Sequence, residues 1–148
     1  MCASCTSYNK LRTLVEGANV LNFRVYDIAG NYAEKQVTVT VDSEAPRILS
    51  VSPGGGSRIK GVTTFGVKYT EAILKEAALV YKIAGTEIVK PISGCPSGKD
   101  VTCVTTVDFT GFSAGQRVYY YFRLTDNFNR VKQSNTFTGT TASVTTGY

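Results

Sequence analysis

The stretch that decides the fold is Arg117–Thr125, which reads Arg-Val-Tyr-Tyr-Tyr-Phe-Arg-Leu-Thr. Side chains of a β-strand alternate between its two faces, so every second residue of this stretch lies on the same face. One face then carries four large, mainly apolar side chains: Val118, Tyr120, Phe122 and Leu124. The opposite face carries Tyr119, Tyr121 and Arg123. This pattern predicts a strand whose first face lies in a core and whose second face points outward.

A related stretch occurs earlier in the chain. Phe23-Arg24-Val25-Tyr26-Asp27 matches Phe122-Arg123-Leu124-Thr125-Asp126, and each is followed by an Asn-containing turn and a Thr-rich strand. Within those strands, Lys35-Gln36 is matched with Lys132-Gln133. We expect the inward face of the first copy to carry Leu21, Phe23 and Val25. The same ending is therefore present twice, but only the second copy has a full beginning.

Short strands are predicted along most of the remaining chain, because β-branched residues alternate and turn residues recur at short intervals. In the first copy, Val37–Val41 shows this alternation. The strands predicted for the second copy are Arg47–Val51, Thr64–Thr70, Leu79–Ile83, Glu87–Ile92, Val101–Phe109, Arg117–Thr125 and Lys132–Thr138. One stretch differs, since Glu71–Leu79 contains good helix formers and is predicted to form a short helix between strands. The overall pattern indicates an all-β sandwich.

The repeat divides the chain unequally. By length alone, 148 residues suit one domain. The repeat instead assigns residues 1–43 to the last strands of one domain and residues 44–148 to a complete copy. The complete copy has the usual size, roughly 100 residues, of an immunoglobulin-like sandwich. We therefore predict an immunoglobulin-like antiparallel β-sandwich, one complete copy preceded by the C-terminal strands of another.

Two short motifs sharpen this prediction. Val25-Tyr26-Asp27-Ile28-Ala29-Gly30-Asn31 contains a D-x-x-G-N turn, and Asp42-Ser43-Glu44-Ala45-Pro46-Arg47-Ile48 contains a D-x-x-A-P-x-I linker. With the strand between them, they resemble the immunoglobulin-like or fibronectin-type-III-like tandem repeats of bacterial and archaeal surface proteins. The resemblance covers roughly residues 14–53. It implies a structural module beside other repeats, although the second turn, Asp126-Asn127-Phe128-Asn129, departs from the motif by lacking glycine.

The composition narrows the classes of function. The chain contains no histidine, which removes every Ser–His or Cys–His couple and every imidazole acid or base, so we predict no enzyme. The net charge is +5, and all of the excess lies in residues 44–148, where twelve basic residues face seven acidic ones. These charges are scattered and form no basic run, so nucleic-acid binding is not expected. No apolar run approaches the length that crosses a bilayer.

The four cysteines are predicted to form disulfides. Cys95 and Cys103 flank a segment rich in turn residues, so their sulfurs can meet across a loop. Cys2 and Cys5 form either a local bridge or two free thiols near the terminus. The rival interpretation is a four-thiolate metal site, which the Cys2–Cys5 spacing fits but the wider second pair does not. Oxidised pairs indicate a non-cytosolic compartment, and without a recognisable signal peptide we expect a mature protein or a fragment of a longer secreted chain.

Calcium is the candidate cofactor; otherwise no cofactor is expected. Asp27, Asn31, Asp42 and Glu44 supply hard oxygen ligands near a turn and a domain junction, where Ca²⁺ can bind. The competing interpretation is that these residues cap the turn and solvate the linker, since no Asp-x-Asp cluster completes a ligand shell. The outward-facing Tyr119 and Tyr121 form a candidate binding surface for a glycan or a protein. The competing interpretation there is ordinary cross-strand pairing with Thr or Lys neighbours.

Three functions remain open on this evidence. The first is a non-catalytic structural or adhesive module of a secreted or cell-surface protein, whose partners are neighbouring repeats. The second is a subunit of an extracellular filament or pilus, in which a strand from another copy completes the partial first domain and residues 136–148 act as the donor. The third is an accessory domain of a secreted hydrolase. In each case we expect an extracellular or cell-surface location.

Overall fold

The structure is a computed structural model that describes residues 10–143. These residues form eleven strands: β1 Gly17–Tyr26, β2 Tyr32–Val41, β3 Arg47–Ser52, β4 Ser57–Ile59, β5 Val62–Glu71, β6 Leu74–Ile83, β7 Thr86–Ile92, β8 Gly98–Asp108, β9 Arg117–Asp126, β10 Val131–Gln133 and β11 Phe137–Thr141. The predicted all-β class is confirmed. Within the described range no helix is long and apolar enough to cross a membrane.

The chain divides into two compact units, one ending at Val41 and the other beginning at Asp42. In the first unit, β1 and β2 pair antiparallel along their whole length, from Gly17 opposite Val41 to Tyr26 opposite Tyr32. They form a two-stranded sheet.

The second unit is a sandwich of two sheets. One sheet has the order β3-β5-β8, and the other has the order β4-β11-β9-β6-β7, with β10 also paired to β9. The opening segment of the unit is thus split between the sheets: β3 pairs with β5, whereas β4 pairs in parallel with the last strand, β11. This arrangement of strands is that of an immunoglobulin-like sandwich, as predicted.

The core lies between the two sheets. All four residues of the predicted inward face of β9 are completely buried: Val118, Tyr120, Phe122 and Leu124. Opposite them, Phe65 and Tyr69 of β5 are also completely buried. The rings of Phe65 and Tyr120 meet edge to face with centroids 5.0 Å apart, so aromatic packing joins the sheets directly.

The predicted helix over Glu71–Leu79 is wrong. Glu71 ends β5, and Leu74–Ile83 forms β6, which pairs with β7 on one side and β9 on the other. Alternate β6 residues, Leu79 and Ile83 among them, lie in the core. The helix propensity of this stretch is therefore overridden by backbone pairing on both edges and by burial with a period of two.

The single strand predicted over Lys132–Thr138 is two strands, β10 and β11. Ser134 lies between them and replaces part of the backbone ladder with its side chain. Its N–H donates to the carbonyl of Phe122 (2.9 Å), and its hydroxyl accepts from the N–H of Phe122 (3.0 Å). A second departure from prediction is β4, which follows the glycine-rich bend and was not expected.

Candidate functional site

A five-residue turn after β9 organises one end of the sandwich. Asp126 has no exposed surface and acts as the hub of the turn, Asp126–Arg130. Its Oδ1 accepts from the N–H groups of Phe128 and Arg130, both at 2.8 Å, and its Oδ2 accepts from Nε of Arg130. Asn129 adopts a φ of 63°, a left-handed conformation that asparagine tolerates better than most residues. Local hydrogen bonds thus fix both Asp126 and the guanidinium of Arg130.

The turn between β1 and β2 has the same construction. Asp27 accepts from the N–H of Asn31 and from its side-chain amide, both at 2.8 Å, and Gly30 takes the left-handed position with a φ of 87°. Asn129 therefore does in the second turn what Gly30 does in the first, which explains how that turn forms without glycine. The strand registers that follow pair Val25 with Ala33 and Leu124 with Lys132. By register, Lys132 therefore corresponds to Ala33. The sequence comparison had matched Lys132 with Lys35, so that match is wrong by two residues.

Arg130 also reaches the segment that leads into the sandwich. Its Nη2 donates to the backbone carbonyl of Asp42 at 3.1 Å and forms an ion pair with the Asp42 carboxylate. The Asp42 side chain is only 1% exposed, whereas that of Arg130 is 30% exposed. Arg130 thus joins the start of the second unit to the turn that ends β9.

Three carboxylates gather at this position. Oxygens of Asp42, Glu71 and Asp126 all lie within 4.8 Å of one another. Glu71 is 3% exposed, and its Oε1 accepts from the N–H of Ile73 at 2.9 Å. The second carboxylate oxygen of Asp42, Oδ2, is buried and has no hydrogen-bond donor. This set, together with Arg130, is called the junction cluster below.

Two carboxyl groups of the junction cluster have oppositely shifted pKa values. Burial raises the pKa of Glu71, and the nearby negative charges of Asp42 and Asp126 raise it further, against the N–H of Ile73 and the charge of Arg130. Burial also opposes ionisation of Asp126. Hydrogen bonds from Arg130 and Phe128 outweigh that effect and lower its pKa. Of these two groups, Asp126 is therefore the more readily ionised and Glu71 the less readily ionised.

The chain enters the sandwich near the C-terminal end of β9, and its last strand, β11, ends near the N-terminal end of β9. Asp42, where the unit begins, contacts the turn that follows β9. At the opposite end, the N–H of Thr141 donates to the carbonyl of Gln116, one residue before β9, at 2.9 Å. The Thr141 hydroxyl is held there too, donating to the carbonyl of Ser113 at 2.7 Å. Since β9 has ten residues, these two points lie roughly 30 Å apart along the strand.

The two-stranded sheet of the first unit has one polar and one apolar face. On the polar face, opposed side chains satisfy one another, as in the Arg24–Glu34 ion pair. The apolar face carries Leu21, Phe23, Val25, Ala33, Val37, Val39 and Val41, and the register adds two polar residues to it, Lys35 opposite Phe23 and Asn19 opposite Val39. Several of these side chains are exposed: Val25 by 71%, Phe23 by 49% and Val37 by 36%. Leu21, Phe23 and Val25, which were predicted to face a core, thus lie on one face, and two of them, Phe23 and Val25, remain accessible to water.

The remaining predicted site residues are placed as follows. The Cys95–Cys103 disulfide is present, with Cα atoms 5.1 Å apart, whereas Cys2 and Cys5 lie outside the described residues. Tyr119 is 41% exposed and stands between Lys82 of β6 and Thr138 of β11. Tyr121 is half-buried beside Val80 of β6.

Of the four calcium candidates, the structure groups only Asp42 with other carboxylates. Asp27 and Asn31 are bonded to each other in the first turn. The sequence analysis missed Glu71 and Arg130, because one sits at the end of a strand that was not expected to reach it and the other replaces a motif asparagine. The internal repeat could have indicated Arg130, which is the counterpart of Asn31.

Comparison with known proteins finds little that is similar. No known protein family matches the chain, and no curated protein matches it significantly. Among solved structures, a Niemann-Pick type C2 protein from the Japanese carpenter ant aligns with a TM-score of 0.44 and 11% identity. The alignment covers 70% of this chain and 99% of that protein.

Proposed function

We propose that this chain belongs to a non-catalytic structural or adhesive protein of the cell surface or the extracellular space. In this proposal, immunoglobulin-like modules follow one another in a row, and the sandwich that begins at Asp42 is one of them. Its partners are the neighbouring modules of the same protein.

The observation that carries the proposal is the path of the chain through the sandwich. The chain arrives beside the turn after β9 and departs beside the start of β9, so the connections to neighbours lie at opposite ends of the unit. Such a path suits head-to-tail stacking. The parallel pairing of β4 with β11 adds to this, because a pull along the strands loads all hydrogen bonds of that pair together.

The first unit supports the same proposal. Its turn repeats the hydrogen bonds of the turn after β9, and its apolar face matches the inward face of the complete copy. A two-stranded sheet on its own is only marginally stable in water, so this apolar face needs further strands or another surface packed against it. We infer that β1 and β2 are the last strands of a preceding module. The Cys95–Cys103 disulfide favours an oxidising, extracellular setting for the whole.

Single-molecule stretching of residues 1–148 through their two ends tests this load-bearing role. We expect one main unfolding event that releases roughly 300 Å of chain, since about 90 residues extend while the disulfide loop stays closed. Reduction should lengthen the event by roughly 20–25 Å, because a separation of 8 residues becomes extensible in place of the 5.1 Å between the two Cα atoms. Gly139→Ala, which disturbs the β4–β11 pair, should lower the unfolding force. Extension without a force peak would contradict the proposal.

The exposed apolar face also favours a second candidate function, in which a strand from another copy covers β1 and β2 and so builds a filament. Of the donor expected from the sequence, residues 136–148, Phe137–Thr141 already forms β11 between β9 and β4, and residues 144–148 lie outside the described part of the chain. Sedimentation velocity across a wide concentration range separates the two functions. A filament subunit should associate, and Phe23→Thr with Val25→Thr should dissolve the assembly, whereas a module should remain monomeric.

A further inference from the structure

We propose that the junction cluster of Asp42, Glu71, Asp126 and Arg130 binds a divalent cation of the calcium class. The site lies wholly within the second unit, where the chain enters the sandwich. It differs from the turn and linker residues that the sequence suggested, sharing only Asp42 with them.

The net charge of the junction cluster favours a cation. Three carboxylates meet in the cluster, and the single guanidinium contacts two of them, Asp42 and Asp126. The ionised cluster therefore carries an excess of two negative charges. Unpaired charge is costly to bury, and Glu71, which is not ion-paired with Arg130, is only 3% exposed. One divalent cation would balance the excess of two negative charges.

One buried carboxylate oxygen of the junction cluster has no hydrogen-bond partner. Oδ2 of Asp42 is buried and accepts no hydrogen bond, although the other oxygen of the same carboxylate is paired with Arg130. Buried polar atoms are nearly always satisfied. Local hydrogen bonds account for Asp126 and for Oε1 of Glu71, but nothing in the described chain accounts for this oxygen. A bound cation supplies the missing partner.

The spacing of the carboxylate oxygens suits an ion of the size of calcium. Calcium binds oxygen at about 2.3–2.6 Å, so two ligands of one ion lie at most about 5 Å apart. The three carboxylates offer oxygens within 4.8 Å of one another, so they can share one such ion. Magnesium, with oxygens at about 2.0–2.1 Å in strict octahedral geometry, requires a tighter set. The Arg130 side chain is 30% exposed, so the cluster has one member in contact with solvent, and water molecules would complete the ligand shell.

The test is thermal unfolding of the full chain at about pH 7.5, first in EDTA and then with about 10 mM CaCl₂. We expect the Tm to rise by about 7 °C, the rise that a dissociation constant near 1 mM gives for a domain of this size. Asp42→Asn keeps the shape and the oxygen that faces Arg130 but removes charge, so the rise should be lost. Glu71→Gln should lose it too, which keeps the test decisive if the first variant does not fold.

Asp100→Asn is the matched control. Asp100 is an exposed carboxylate outside the cluster, and its φ of 54° suits asparagine equally well, so this variant should keep the full calcium response. Three results would each overturn the proposal: no rise in the wild type, a rise that persists in both cluster variants, or an equal rise with MgCl₂.

Discussion

Gly139→Ala is the sharpest probe of how β4 closes the sandwich. A Cβ atom at position 139 would lie 2.3 Å from Cδ1 and 2.8 Å from Cγ1 of Ile59, and 3.1 Å from the carbonyl oxygen of Ser57. Ile59 is completely buried, so it has no free volume into which to move. Overpacking of this kind costs about 2 kcal/mol. For a unit of about 100 residues, that lowers the Tm by about 10 °C.

A double-mutant cycle shows whether the clash is the cause. Ile59→Val removes Cδ1, the nearest atom, and alone should cost about 1 kcal/mol. Combined with Gly139→Ala, it should recover at least about 1 kcal/mol relative to the sum of the single variants. Gly111→Ala is the control, since a Cβ there meets nothing within 4 Å and should change stability by less than about 0.5 kcal/mol. Urea unfolding measures the wild type and all four variants, and additive effects of Gly139→Ala and Ile59→Val would refute the packing described for β4 and β11.

Three further predictions concern the disulfide, the junction cluster and the core. Replacing Cys95 and Cys103 with alanine opens a loop of separation 8, which should cost about 2.5 kcal/mol by calorimetry, and a loss below about 1 kcal/mol would count against the bond as a stabiliser. Glu71→Gln in EDTA should match the wild type near pH 4 and exceed it in stability at pH 8. The reason is that the raised pKa of Glu71 contributes stability below its usual value of 4.5, and this contribution is lost as the pH rises through the folded value. Asp42, Asp126 and Arg130 face position 71 in both proteins, so a stability difference that does not depend on pH would contradict this reasoning. Tyr120→Phe removes a hydroxyl that donates to the carbonyls of Pro53 (2.8 Å) and Gly54. Urea unfolding should show that the free energy of unfolding falls by about 1–2 kcal/mol. An unchanged free energy of unfolding would mean that water replaces the hydroxyl and would contradict this prediction.

The sequence predicts well what depends on alternation and poorly what depends on contacts between distant segments. Val118, Tyr120, Phe122 and Leu124 lie in the core because their period of two is a local property. Glu71–Leu79 was misassigned because its residues favour a helix locally, and only the pairing of β6 with β7 and β9 decides otherwise.

The same division explains the candidate site. Asp126 and Asp42 each stand in a recognisable motif, but they are 84 positions apart in the sequence. What brings them together is Arg130, which occupies the place that asparagine has in the first turn and bonds to both carboxylates. Glu71 joins them from the end of β5. No spacing rule in the sequence links these four residues, so the cluster is visible only in the folded unit.

Hydrogen exchange of the backbone amides in residues 1–148 tests the central claim most directly. If β1 and β2 are part of a module that needs a cover, their amides should exchange at least 100-fold faster than those of β5, β6 and β9 whenever the chain is monomeric. They should become protected when copies assemble or when the chain is joined to a complete preceding module. The account is contradicted if β1 and β2 in the monomer are protected as strongly as the sandwich and remain so after Phe23→Thr.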